Sequence, residues 1–310
     1  MMIYRLGAFV PTGIYDFKTC IDFELKIGES PVWDAAAGKL WFVDVTKPSL
    51  FRFDPELGRT EEFEMPSEAG SLGLVSDGRL IVALRTGIHF FDPRTQRLEF
   101  LVHPEPEMSM NRMNDGKVGP DGCFWVGSMH DALPRQPTGC LYRITSAGKV
   151  TRVLDDVRVS NGLAWSPDNL TMYHADSRGP VIRAFDFDAV NGTVSSPRTL
   201  AVLDESQGLP DGAAVDIHGS YWSAGVSAGV LNRFTADGVL VEKIKLPTPA
   251  PTMPCFGGPD LKTMFITSLS TDRNGTYSRG TLISCRVDVP GVPVGHMPIA
   301  HEDAAEAALR

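Results

Sequence analysis

A chain of 310 residues with 43% hydrophobic and 22% charged residues can bury a large core, in one or two domains. Its net charge of -9 argues against nucleic acid or an anionic membrane as the main partner, since both are held by clustered Lys and Arg. The five cysteines, an odd number with no C-x-x-C pair, exclude a disulfide framework or zinc knuckle and point to a reducing, cytoplasmic compartment.

Residues 1–20 have scattered apolar positions but no basic region followed by a sustained apolar run, so no signal peptide is expected. No segment approaches the roughly 20 apolar residues of a membrane helix. Beyond this extension, 30 glycines and 23 prolines separate short runs rich in Val, Ile, Leu, Phe and Trp, the signature of an all-β protein. The runs repeat. Glu29 leads into 30–33, a turn at Ala37-Gly38 and a second run at 40–44. Ser71 leads into 72–75, a turn at Asp77-Gly78 and 80–83. Asn114 leads through Lys117-Val118 and Asp121-Gly122 to 124–127. Asn161 leads into 163–165, a turn at Pro167-Asp168 and 172–176. Asp211 leads into 213–216, a turn at His218-Gly219 and 221–224. Phe256 leads through Gly257-Gly258 and Pro259-Asp260 to 264–267. A third run follows most pairs, as at 50–54 or 139–144, and a fourth at 98–101 or 149–153.

Four strands in a unit of ~45 residues make a propeller blade. The expected architecture is an all-β, six-bladed β-propeller over residues 25–295, in a single domain with a metal site at its central channel. Residues 1–24 would form an extension whose strand closes the ring, because an open edge is a liability. Residues 296–310 would be a C-terminal tail, helix-forming only at its end.

In a propeller the innermost strand of each blade lines the channel, so equivalent loops point at one axial spot. Here the equivalent places hold Glu29, Ser71, Asn114, Asn161, Asp211 and the Cys255-Phe256-Gly257 stretch. Taken singly, Asn-Gly and Asp-Gly are ordinary turn formers. Gly-Glu-Ser-Pro entering an apolar strand is not a common turn sequence, and the shared register joins the four oxygen-bearing residues. Two carboxylates at a narrow mouth repel and lose solvation unless a cation joins them. Glu29, Asp211 and the neutral oxygen of Asn161 form a ligand set for one divalent ion. Oxygen ligands favour Ca, Mg or Mn; Zn ordinarily recruits His or Cys. His130 follows an inner-blade strand, and both the channel mouth and a solvated loop stay open for it. Cys255 has no His partner and reads as a packed thiol. Trp33, Trp125, Trp165 and Trp222 recur at blade positions and are expected to pack between blades.

Five segments, Gly28-Glu29-Ser30-Pro31-Val32-Trp33, Asn111-Arg112-Met113-Asn114-Asp115-Gly116-Lys117, Ser160-Asn161-Gly162-Leu163-Ala164-Trp165, Pro210-Asp211-Gly212 and Cys255-Phe256-Gly257-Gly258, span nearly the whole chain. In order and spacing they resemble the senescence marker protein-30, gluconolactonase and luciferin-regenerating enzyme family, also called regucalcin-like. The resemblance implies a six-bladed propeller with one divalent cation on Glu29, Asn161 and Asp211. It implies substrate contacts at Arg112 and Asn114, and an acid/base role for Asp211. In some relatives an acidic substrate contact follows a Gly-Thr-Met segment. Here Gly127-Ser128-Met129 is followed by His130-Asp131-Ala132, with the carboxylate at another spacing, which leaves the exact substrate open.

The expected activity is hydrolysis of a sugar lactone, such as glucono-1,5-lactone, to its aldonic acid, with one divalent cation (Ca, Zn, Mn or Mg) as cofactor. The partner would be the lactone alone, with no nucleic acid or membrane, and the protein a monomer or small homo-oligomer. A phosphotriesterase or arylesterase on the same metal, or a non-enzymatic calcium-binding propeller, are the alternatives. A docking propeller of the WD type lacks support, because Trp33-Asp34 is the only Trp-Asp pair.

Overall fold

The computed structural model describes residues 15–299. Their regular structure is all β. Six sheets follow one another along the chain, each with four antiparallel strands in the up-and-down order of a propeller blade, and blade two gains a fifth, parallel strand. The innermost strands are Gly28–Asp34, Ala69–Val75, Asn111–Val118, Ser160–Trp165, Pro210–Val215 and Pro251–Gly257. These six are almost wholly buried, because each meets a neighbouring blade on both faces and the channel on its edge. The outer strands Arg59–Glu64 and Thr193–Val202 are mostly exposed, and the first is mostly charged. The six blades match the expected architecture.

The expected turns form where Gly supplies a left-handed backbone: φ is 65° at Gly38, 85° at Gly78, 72° at Gly122 and 83° at Gly219. Two of these turns also anchor a tryptophan. Asp121 accepts from Trp125 Nε1 at 3.0 Å and from Arg143 Nε at 2.6 Å. Asp216 accepts from Trp222 Nε1 at 2.9 Å and from Arg233 Nη2 at 2.8 Å. Each indole thus keeps its one polar atom satisfied while the ring is buried. The rings then pack between blades as expected: Trp33 stacks on Phe265, Trp125 meets Trp165 edge-on, and Trp222 meets Phe256.

The two chain ends are handled differently. Lys18–Thr19 pairs with Leu282–Arg286, so blade six takes its outermost strand from the other end of the chain. The join hides an edge that would otherwise be free. Beyond blade six, Val292 N donates to Val215 O, and His296–Met297 runs parallel to the inner strand of blade two. Residues 296–299 are therefore in part a fifth strand; the helix-forming stretch 302–310 lies outside the described residues, as do residues 1–14.

Trp222 is 1% exposed and joins blade five to blade six, so Trp222→Ala is expected to cost about 3–5 kcal/mol of stability. Denaturant unfolding of the variant beside the wild type measures it. A loss below about 1 kcal/mol would show that the ring does not depend on this contact.

Candidate active site at the channel mouth

The marker residues do not sit in loops. They lie inside the innermost strands, all six of which are bulged, five of them at the marker; in blade six the bulge lies ahead of Phe256, at Pro251–Met253. Pairing with the second strand shifts register between Glu29 and Val32, Ala69 and Ser71, Met113 and Gly116, Asn161 and Ala164, Pro210 and Ala213, and Pro251 and Met253. An extra residue bends the strand and re-aims its side chains. Asn-Gly and Asp-Gly read as turns from sequence because a bulge asks for the same small, left-handed-tolerant residues. Gly162 shows why. Its φ is 68°, and a Cβ there would lie 2.4 Å from the Tyr221 hydroxyl, which donates to the Gly162 carbonyl at 2.8 Å. Ser30, after Glu29, also has positive φ, at 49°.

The bulges bring Glu29, Arg112, Asn114, Asn161 and Asp211 to one cavity of about 180 Å3 at the N-terminal ends of the inner strands. Residues from four blades thus share one site. His130 does not line the cavity. Met129 does, and successive strand residues face opposite sides, so His130 turns away; its Nδ1 lies 3.1 Å from Ala132 O. Ser71 is buried beside Gly116 and does not line the cavity either. Cys255 lines a different cavity, of about 420 Å3, at the opposite ends of the inner strands. Burial pushes its thiol up to about 11, so it is not a nucleophile at neutral pH.

Hydrogen bonds fix which atoms face the cavity. Ser177 Oγ donates its one proton to Pro210 O at 2.6 Å, so it can only accept from Asn161 Nδ2, at 2.8 Å. That pins the Asn161 amide and leaves Oδ1 as its acceptor. Asn114 spends both amide protons, one on Asn161 Oδ1 at 3.1 Å and one on Ser160 O at 2.8 Å. Arg112 gives Nη1 to Asn114 Oδ1 and Met113 O, and Nε to Asp131 at 3.1 Å. Its Nη2 keeps no partner among the described residues.

The electrostatics are strained. Burial raises the Glu29 carboxyl well above its ordinary range, and the charges of Asp211 and Asp115 raise it further. Burial, then Asp115, pushes Asp211 up to about 8. Asp115 is itself raised by burial, and its Oδ1 has no hydrogen-bond partner. Lys117, lowered by burial, is the cation beneath them, and its ammonium is bound to Ala213 O at 2.8 Å. Two clustered carboxylates and a fixed amide oxygen, with so little positive charge between them, fit a hard divalent cation. Among the described residues no group of three or more His, Cys, Asp or Glu could hold a metal ion, so such a site would depend on the amide as its third ligand.

Several residues at this site went unnoticed in the sequence. Ser177 and Arg178 follow the second strand of blade four, and Arg135 follows that of blade three; none carries a motif. Asp131 accepts from Arg85, Arg112 and Arg135, a convergence across 46 residues that spacing cannot reveal. Asp115 and Lys117 stood inside a quoted segment, and their separation by two was the available signal.

Residues 27–270 match the family model described as SMP-30/Gluconolactonase/LRE-like region. The chain is 38% identical over 274 residues to a 6-deoxy-6-sulfogluconolactonase of Pseudomonas putida, covering 86% of this chain and 92% of that protein. It is 35% identical over 248 residues to a regucalcin of Xenopus laevis, covering 78% and 83%. In structure it is similar to a calcium-binding protein, regucalcin, from Agrobacterium tumefaciens, with a TM-score of 0.85 at 24% identity, covering 91% of this chain and 97% of that one; this likeness bears on the fold alone. The chain belongs to the SMP-30/gluconolactonase/LRE-like family.

Proposed function

We propose that the protein is a divalent-metal-dependent lactonase that opens a sugar lactone to its aldonic acid. The observation that carries this is the meeting of Glu29, Asn161 and Asp211, from three blades, in one cavity with Arg112. The relatives support sugar-lactone hydrolysis: one is named for a sulfogluconolactone, and the family description includes gluconolactonase. All five cysteines are free, which supports a reducing, cytoplasmic setting.

Glu29, Asp211 and Asn161 Oδ1 would hold the ion, and an all-oxygen set ranks Ca, Mn and Mg above Zn. When bound, a divalent cation polarises a carbonyl and acidifies water. Asp211 takes the proton from the attacking water and returns it to the ring oxygen as the acyl–oxygen bond breaks. Burial raises its basicity and a cation on the same carboxylate would lower it again, which keeps the group ionised at neutral pH. Arg112 offers Nη2 to the oxyanion that develops on the carbonyl oxygen. Asn114, both amide protons spent, acts on substrate through the remaining lone pair of Oδ1 and holds Asn161 in place.

Both acidic residues have folded pKa values raised above their unfolded ones. In the metal-free protein their contribution to stability is complete below about pH 4 and is lost as pH climbs toward the Asp211 value of about 8. A bound cation offsets that loss, and protons compete with it at low pH. The rise in Tm on adding Ca or Mn is therefore expected to be larger at pH 8 than at pH 5. Equal rises would count against the ligand set. Ser177→Ala frees the Asn161 amide to rotate, and cation affinity measured by calorimetry should fall about ten-fold or more; an unchanged affinity would remove Asn161 from the set. Glu29→Ala and Asp211→Asn should each lower kcat/KM for aldonolactones by about 100-fold or more, as should a chelator. Asp211→Asn should also stabilise the metal-free protein at pH 8, since it removes one of two repelling charges. Little lactone turnover beside fast cleavage of aryl or phosphate esters would reassign the substrate.

A further inference from the structure

The cavity that holds Arg112 is lined in part by apolar residues such as Met129 and Val159 and in part by arginines. Arg112, Arg135 and Arg178 all line it. Asp131 already accepts from three guanidinium groups. Oδ1 takes Arg112 Nε at 3.1 Å and Arg135 Nη1 at 3.4 Å, and Oδ2 takes Arg85. Arg85 also pairs with Glu68 at 3.0 Å. Arg135 gives Nη1 to His130 O at 2.7 Å as well and keeps Nε and Nη2 uncommitted. The Arg178 guanidinium has no hydrogen-bond or ion-pair partner among the described residues; only its backbone N–H is bound, to Asp176 Oδ1. Four guanidinium groups thus stand near the carboxylates of Glu68 and Asp131, while Glu29 and Asp211 line the same cavity.

A sugar hydroxyl needs an acceptor for its own proton as well as a donor for its lone pairs. The three arginines have donors to spare and Asp131 is already paired with them, so their side of the cavity, unlike the one with Glu29 and Asp211, suits a group that only accepts. Guanidinium forks match the flat or tetrahedral oxygens of carboxylate, phosphate and sulfonate. We propose that the substrate carries a terminal anionic group of this kind, and that Arg178 and Arg135 form the subsite that holds it. That the anion belongs to a lactone rests on the lactonase assignment above; the subsite itself does not.

The test compares kcat/KM for glucono-1,5-lactone with its 6-phospho and 6-deoxy-6-sulfo forms and with glucaro-1,4-lactone. At least one charged lactone should be preferred by about ten-fold or more, and the preference should shrink as salt is raised. Arg178→Ala should cut the charged-to-neutral ratio about ten-fold, with part restored in Arg178→Lys; Arg135→Ala should act in the same direction. Which charged lactone leads identifies the anion. Calorimetry with glucose against glucose 6-phosphate, 6-deoxy-6-sulfoglucose and glucuronate reads the subsite without any reaction. If no lactone is opened, the lactonase assignment fails, and the binding ratio alone decides the subsite. Ratios within about two-fold for every anion, or a ratio that Arg178→Ala does not move, overturn it.

Discussion

Six sheets around one axis leave room there only for side chains whose strands bend toward it, and the β-bulge is how each inner strand does so. The bulge carries a cost, because backbone groups fall out of register and lose their ladder partners. Neighbouring blades supply the replacements. Ser30 Oγ of blade one accepts from Leu72 N of blade two, and Asp115 of blade three accepts from Leu163 N of blade four. Tyr221 of blade five reaches back to Gly162 O, Ser177 of blade four reaches forward to Pro210 O, and Thr252 of blade six donates to Gly28 O of blade one. The device that aims the site residues therefore also stitches the blades together around the mouth. A single substitution at a bulge would disturb both packing and chemistry.

Charge is the second consequence of that geometry. Glu29, Asp115 and Asp211 are drawn into one buried neighbourhood, and each has its carboxyl raised. A fold selected only for stability would replace them with apolar groups, since buried like charges are expensive. Their presence marks a place where local rules are broken for the sake of what binds there. The proposed cation would relieve the repulsion between Glu29 and Asp211, while Lys117 sits on the side of Asp115.

The repeat was legible because a blade has a fixed length and its turns need Asp-Gly at fixed places, as at Asp77-Gly78 and Asp121-Gly122. The convergence of Glu29, Asn114, Asn161 and Asp211 followed from that register alone. The bulges were not legible, because Asn161-Gly162 satisfies a turn and a bulge equally well. His130 was left open for a related reason: which of two adjacent strand residues faces the channel depends on a register that spacing does not define, and Met129 took the inward position. Arg135 and Arg178 were invisible, and Asp131 was seen only as a carboxylate at an unexpected spacing, because their meaning lies in contacts between separate loops rather than in any local pattern.

The two ends of the channel differ in ways that give the site a direction. At the far end the segment running through Val292, Pro293 and Val294 lies across an apolar cavity, and the return strand at His296–Met297 ties it down. Between the two cavities Asp115 and Lys117 form a polar floor, with Lys117 bonded across to blade five. Substrate and water therefore have their approach on the side of Arg135 and Arg178. That rim carries Arg135 and Arg178 on a molecule whose overall charge repels anions, and positive groups at a cleft mouth concentrate anionic ligands there. The local field then acts as a filter before any contact is made: it favours an anionic ligand at the rim, while the buried carboxylates behind it discourage that same charge from going deeper. A ligand with its charge at one end would enter in a single orientation, its neutral end toward Glu29 and Asp211.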